Sequence, residues 1–152
     1  MSGDEEPEKP CSDLMHDRDK SDNQTEIWLK EYKREYDKYD DSLKIDSNDA
    51  RIWFKKGALF HSHRAYEEAL QCFEKVIELD PECIDGWLWK GLSLLSLERT
   101  EEGLDVFNES LLRNPTETVI LIGKFLSLIK LGRIEEAEIF SQEYGFQFPN
   151  QT

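Results

Sequence analysis

The residues able to hold a metal, attack a carbonyl or cradle a phosphate are few in this chain, and their spacing keeps them apart. His61 and His63 stand two positions apart, so on a helix they point to different sides and cannot clamp one ion together. Cys11, Cys72 and Cys83 are odd in number and lack a CxxC spacing, which fits free thiols in a reducing cytosol. Cys72 and Cys83 fall on different elements, with no neighbour to complete a zinc site or to mark a redox sensor. No glycine-rich phosphate loop, HExxH or GxSxG occurs. Carboxylates abound, with 33 Asp and Glu against 19 Lys and Arg, and in so acidic a chain they read as solvated helix faces. The expectation is a protein without catalysis, metal or cofactor.

The side chains with a pattern to pursue are apolar, and the elements that position them repeat. Pro81, Pro115 and Pro149 stand 34 residues apart. On that period Trp53 falls over Trp87 and Leu121, Ala69 over Gly103 and Ala137, and Phe73 over Phe107 and Ser141. Gly57 falls over Gly91 and Phe125. Trp53, Gly57 and Phe60 are three to four apart and share one helix face; Ala69 and Phe73 share a face of the next helix. Small residues let two antiparallel helices approach, and aromatic rings fill the space around the contact. A period of this length predicts an all-α solenoid of helix–turn–helix units. Asp80-Pro81 and Asn114-Pro115 each place an N-cap residue before a proline at the first helical position, with Glu117 in the capping-box place.

These residues resemble the tetratricopeptide repeat family, whose pattern is W-x2-L-G-x2-Y followed by Ala, Phe and Pro at fixed offsets. The first copy reads Trp53, Gly57, Phe60, Ala69, Phe73, Pro81, and the second Trp87, Gly91, Leu94, Gly103, Phe107, Pro115. The third keeps Leu121, Leu128, Ala137 and Pro149. The resemblance covers residues 50–151 and implies a right-handed superhelix of three repeats, at 50–83, 84–117 and 118–151. A fainter copy lies upstream, where Tyr39, Leu43, Ile45 and Asp46 stand 34 residues before Phe73, Ile77, Leu79 and Asp80. It predicts an N-terminal capping helix over residues 25–45 of a half-repeat at 25–49, with Trp28, Tyr32, Tyr36, Tyr39 and Leu43 covering the first repeat. Residues 1–24 are acidic, hold Pro7 and Pro10 and have almost nothing apolar, so they read as a disordered tail suited, if it docks, to a basic target.

In this family the first helix of each repeat lines a concave groove, where the resemblance implies that ligands bind. The groove positions lie one, five and eight residues after each Trp position, forming the ladders Phe54, Leu88, Ile122; Ala58, Leu92, Leu126; and His61, Leu95, Ile129, flanked by Trp89. All but His61 are non-polar, which an exposed groove of a monomer seldom shows. A partner's apolar helix or peptide, a second copy of this chain, or its own N-terminal helix would cover such a face; closure of a short superhelix onto itself is the alternative. Relatives that grip a chaperone's terminal carboxylate use Lys, Asn and Arg in the groove, whereas Phe54, Ala58, Trp89, Val119 and Gly123 stand at the matching positions here. Lys56, Lys90 and Lys124 recur at one position and Glu68, Glu102 and Glu136 at another, read as charge-paired lysines with stems on the helices rather than as an anion site.

The net charge of −14 argues against nucleic acid and against an anionic membrane surface as partners. No apolar run approaches the roughly 20 residues of a membrane span, and the acidic N-terminus is unlike a signal peptide. The reading is therefore a cytoplasmic, non-enzymatic adaptor or assembly factor with a protein or peptide ligand. Its rivals are a chaperone for an aggregation-prone client and a self-associating module. For the last, the absence of a further capping helix would leave Ile134, Ile139, Phe140, Tyr144, Phe146 and Phe148 as an apolar end for a homodimer.

Overall fold

The computed structural model describes the backbone of residues 12–145 and the side chains of residues 24–145. Cys11, Phe146, Phe148, Pro149 and the tail up to residue 11 lie outside the described residues. Among the described residues there are seven helices and no strand. The chain divides into two compact units, residues 1–38 and 39–152.

Helix α1, Ser12–Ile45, supplies the described part of the first unit. It begins earlier than the expected residue 25, so residues 12–24, assigned to the tail on composition, are helical. The stretch from Ser12 to Ile45 holds neither glycine nor proline to stop a helix, so polarity alone does not end it. Trp28, Tyr32 and Tyr36 stack along one side of it, with ring centroids 6.2 and 6.4 Å apart.

The second unit is three helical hairpins preceded by the last turns of α1. The helices are α2 (Ala50–Ser62), α3 (Tyr66–Leu79), α4 (Ile84–Ser96), α5 (Thr100–Arg113), α6 (Thr118–Lys130) and α7 (Ile134–Tyr144). The first helices of the hairpins start at Ala50, Ile84 and Thr118 and the second at Tyr66, Thr100 and Ile134, so the 34-residue frame holds at both ends. The turn inside each hairpin needs one residue in the left-handed region, met by Arg64 (φ 61°), Glu98 (φ 60°) and Gly132 (φ 71°). Only the third of these adopts it without side-chain strain.

The expected N-caps before the prolines are not made. Asp80 and Asn114 instead end α3 and α5, their amides bonding the carbonyls of Val76 and Ser110. The Asp80 carboxylate accepts from the Glu82 amide (3.2 Å), which commits it to a turn and delays the next helix to Ile84. Glu117 is the N-cap of α6 but makes no side-chain capping bond. Pro81 serves another end: its carbonyl accepts the Trp87 indole N–H at 2.8 Å, as the Ser47 carbonyl accepts that of Trp53 at 2.8 Å. Asp46 makes the turn seen at Asp80, accepting from the Asn48 amide at 3.0 Å, and Leu43 just before it is buried.

Close packing follows the small–large pairing. A Cβ at Gly57 would stand 2.8 Å from the Phe73 ring, and one at Gly91 would collide with Phe107. Gly123, on α6, meets that same ring from the next hairpin, which leaves Phe107 fully buried between α4 and α6. In the third hairpin the sizes are exchanged. Phe125 takes the glycine position and packs on Leu104, Leu121, Leu128, Ala137 and Phe140, while the buried Ser141 takes the Phe position.

Candidate protein-binding surface

Helices α2, α4 and α6 carry the three ladders, and none of the nine ladder side chains is buried. Phe54, Ala58, His61, Leu88, Leu92, Leu95 and Ile129 are half-buried; Ile122 and Leu126 are 42% and 49% exposed. Leu88 and Leu95 lean on the core of Leu70, Trp87, Leu94, Val106, Phe107 and Ile120. Val119, one turn before Ile122, adds a further exposed apolar side chain. Accessible apolar area therefore grows from α2 toward α6. A hollow of about 580 Å³ opens at the start of α2 and α4, walled by Ile52, Phe54, Val76 and Cys83.

The α2 end of this surface is aromatic. The His61 ring meets Trp89 at 4.9 Å and Tyr66 at 5.0 Å, both edge-on, and Trp89 stacks on Phe73 at 6.1 Å. Phe54 tilts against Phe73 at 5.7 Å. Burial holds the His61 imidazole below its ordinary pKa, and its Nε2 is closed off from solvent with no hydrogen-bond partner. Tyr66 has no place in the sequence ladders; its adjacency to His61 comes from the short turn that sets the first residue of α3 beside the end of α2.

Charge is arranged differently from the sequence expectation. Lys56 is buried to 8% exposure and pairs with Asp40 at 3.1 Å, while Lys90 pairs with Glu74 at 3.3 Å. Asn108 stands 34 residues after Glu74, so Lys124 lacks that carboxylate and sits over the Phe140 ring at 5.0 Å instead. Glu102 and Glu136 make no ion pair with the lysines, although Lys90 and Lys124 add to the field that holds their carboxyls low. They form two-point pairs with Arg99 and Arg133, both at 2.7 Å, and each arginine also reaches back one hairpin, to Glu67 or Glu101. These pairs are exposed and contribute little individually. Their guanidinium hydrogen bonds hold both carboxyls below the usual range.

Other chemistry finds no constellation here. Among the described residues no three His, Cys, Asp or Glu side chains gather as for a metal ion. Burial pushes the Cys72 thiol up to about 11, away from the reactive thiolate. No described helix is long and apolar enough to cross a membrane.

The tetratricopeptide repeat family model matches residues 50–83, the α2–α3 hairpin with its following turn. A TPR repeat-containing protein of Methanocaldococcus jannaschii is 45% identical over 42 residues, covering 28% of this chain and 12% of the relative. MamA of Desulfovibrio magneticus RS-1, from residue 41 to its end, superposes with a TM-score of 0.67 at 20% identity, covering 78% of this chain and 67% of that one. The TPR domain of Arabidopsis OM64 does so with a TM-score of 0.58 at 18% identity, covering 68% and 86%. The chain thus spans a small fraction of the curated relative and about two thirds of the MamA structures. The α2–α3 hairpin is thus similar in sequence to a tetratricopeptide repeat, and the helical stack is similar in space to a tetratricopeptide repeat domain.

Proposed function

We propose that this chain is a non-enzymatic protein-binding module that takes up an apolar segment of a partner on the surface of α2, α4 and α6. The observation that carries this reading is the accessibility of the ladder, above all Ile122 and Leu126 at 42% and 49%, with the neighbouring Val119 at 39%. Apolar side chains held in register on adjacent helices gain about 1.5–3 kcal/mol for each large group fully buried. Two or three such anchors supply roughly 3–9 kcal/mol, which meets the lower estimates of the cost of association. An adaptor, an assembly factor and a chaperone that shields an aggregation-prone client would all use this contact.

The test pairs Ile122→Glu and Leu126→Glu in one variant, with Leu112→Glu as the control, since Leu112 is 84% exposed and lies on α5. Partners that copurify with the wild type should be lost from the double variant and kept by the control, with helical circular dichroism unchanged in both. Retention of every partner by the double variant, or equal loss from the control, defeats the reading. A second reading, self-association through α7, is favoured by Ile134, Ile139 and Tyr144, exposed to 45%, 66% and 39%. Light scattering on a sizing column across a concentration series separates a dimer from a monomer.

A further inference from the structure

We infer that two copies of this chain pair through α1, antiparallel, along the apolar stripe of residues 25–36. The inference stands apart from the groove and from α7, and it gives the first compact unit a partner of its own. Thr25, Leu29, Tyr32 and Tyr36 follow one another at steps of four, three and four, the a and d spacing of a coiled coil. The same steps run on through Tyr39 to Leu43, which is buried in the second unit. Before that the stripe is open to water: Leu29 is 57% exposed and Trp28 beside it 50%. Trp28 stacks on Tyr32 and Tyr32 on Tyr36, so the rings hold their places before a partner arrives. Rings and a leucine set in one line on a solvated helix form the surface that a second helix buries.

The charges beside the stripe select the second copy and its direction. Glu26 and Lys33 flank it on one side, at the same heptad position, and both are exposed with no ion pair among the described residues. Seven residues apart on one helix, they stand about 10 Å from each other, too far to pair. A second α1 turned end for end, with its Tyr32 level with Leu29, brings its Lys33 within about 3 Å of Glu26 along the axis. Its Glu26 comes to Lys33 in the same way, so the two-fold axis makes both pairs from one. On the other flank, Glu35 of each copy falls beside Trp28 of the other rather than beside an acid. The described parts overlap over residues 24–37, about four turns. Two helices running the same way would set Glu35 beside the other copy's Asp40 and give Glu26 no base.

The test uses the full chain. Light scattering on a sizing column across a concentration series should show a dimer. Leu29→Glu should leave a monomer with its melting temperature unchanged, since that side chain is exposed in the single chain, while Ile139→Glu on α7 should leave the dimer intact. Glu26→Lys and Lys33→Glu should each raise the dimer Kd by about tenfold, because each turns two attractive pairs into repulsive ones. Both substitutions in one chain exchange the charges and should bring the Kd back to within about threefold of the wild type. A wild type that stays monomeric throughout, or a dimer that survives Leu29→Glu, overturns the inference; a dimer lost only with Ile139→Glu belongs to α7. A doubly charge-reversed chain that pairs no better than the single variants also overturns it, because α1 then docks somewhere other than on its own copy.

Discussion

The size exchange in the third hairpin can be tested by undoing it. Converting Phe125 to Gly and Ser141 to Phe restores the arrangement of Gly57 with Phe73 and of Gly91 with Phe107. Alone, Phe125→Gly removes a half-buried ring and adds a helical glycine, at a cost of about 3 kcal/mol. Alone, Ser141→Phe forces a ring into a site that is 5% exposed, with Phe125 still in the hairpin. Overpacking of that kind costs about 1–3 kcal/mol. Independent effects would sum to roughly 4–6 kcal/mol, comparable to the whole stability of a small domain. If the two positions share one volume, the double variant should lose no more than about 1 kcal/mol, a coupling of at least about 3 kcal/mol. Urea unfolding followed by far-ultraviolet circular dichroism measures the cycle. Amide exchange on α6 and α7 shows whether the end hairpin opens by itself, as stacked repeats permit. Additive losses would refute the exchange and make Phe125 and Ser141 two unrelated departures.

Two further outcomes follow from local geometry. Arg64→Gly relieves a left-handed side chain at φ 61° and should stabilise the fold by about 0.5–1 kcal/mol after the added unfolded-state entropy, while Gly132→Ala should cost about 1 kcal/mol; thermal melts check both. Because burial lowers the His61 pKa, the unfolded chain takes up that proton first, so its contribution is intact above about 6.5 and is lost as pH falls toward the folded value. The melting temperature of the wild type should therefore drop between about pH 7 and 5 by more than that of His61→Phe, and parallel curves would dismiss the effect.

The hairpins were legible because their frame is written in residue types that do one job only. Trp over Trp, and glycine facing an aromatic ring, admit few arrangements, and the first helices keep the 34-residue spacing in their starts at Ala50, Ile84 and Thr118. The proline turns were misread because Asp80-Pro81 has the composition of a helix start. A carboxylate that bonds the amide two residues on makes a turn instead, and the two uses look alike in sequence. Lys56 and Asp40 are 16 residues apart on separate helices, so periodicity marked the lysine and gave no view of its acid. The groove ladder was legible as a face. The orphan nitrogen of His61 was not, since it depends on where Tyr66 and Trp89 bring their rings.

The third hairpin shows why residue types fade there while the packing does not. Each departure from the first two hairpins meets a compensation nearby. Leu121 replaces the tryptophan and is still buried, at 5% exposure. Phe125 stands where the first two hairpins have glycine, and the buried Ser141 stands where they have Phe. Asn108 withholds the carboxylate that Asp40 and Glu74 supply, and the Phe140 ring receives the Lys124 ammonium in its place. What is kept is the filled volume between helices and a partner for each of the three lysines, quantities shared between positions rather than held by one. A pattern defined column by column weakens under such exchanges. The register that presents Ile122 and Leu126 beside Leu88 and Leu92 does not, because it depends on helix starts and turn lengths that all three hairpins keep.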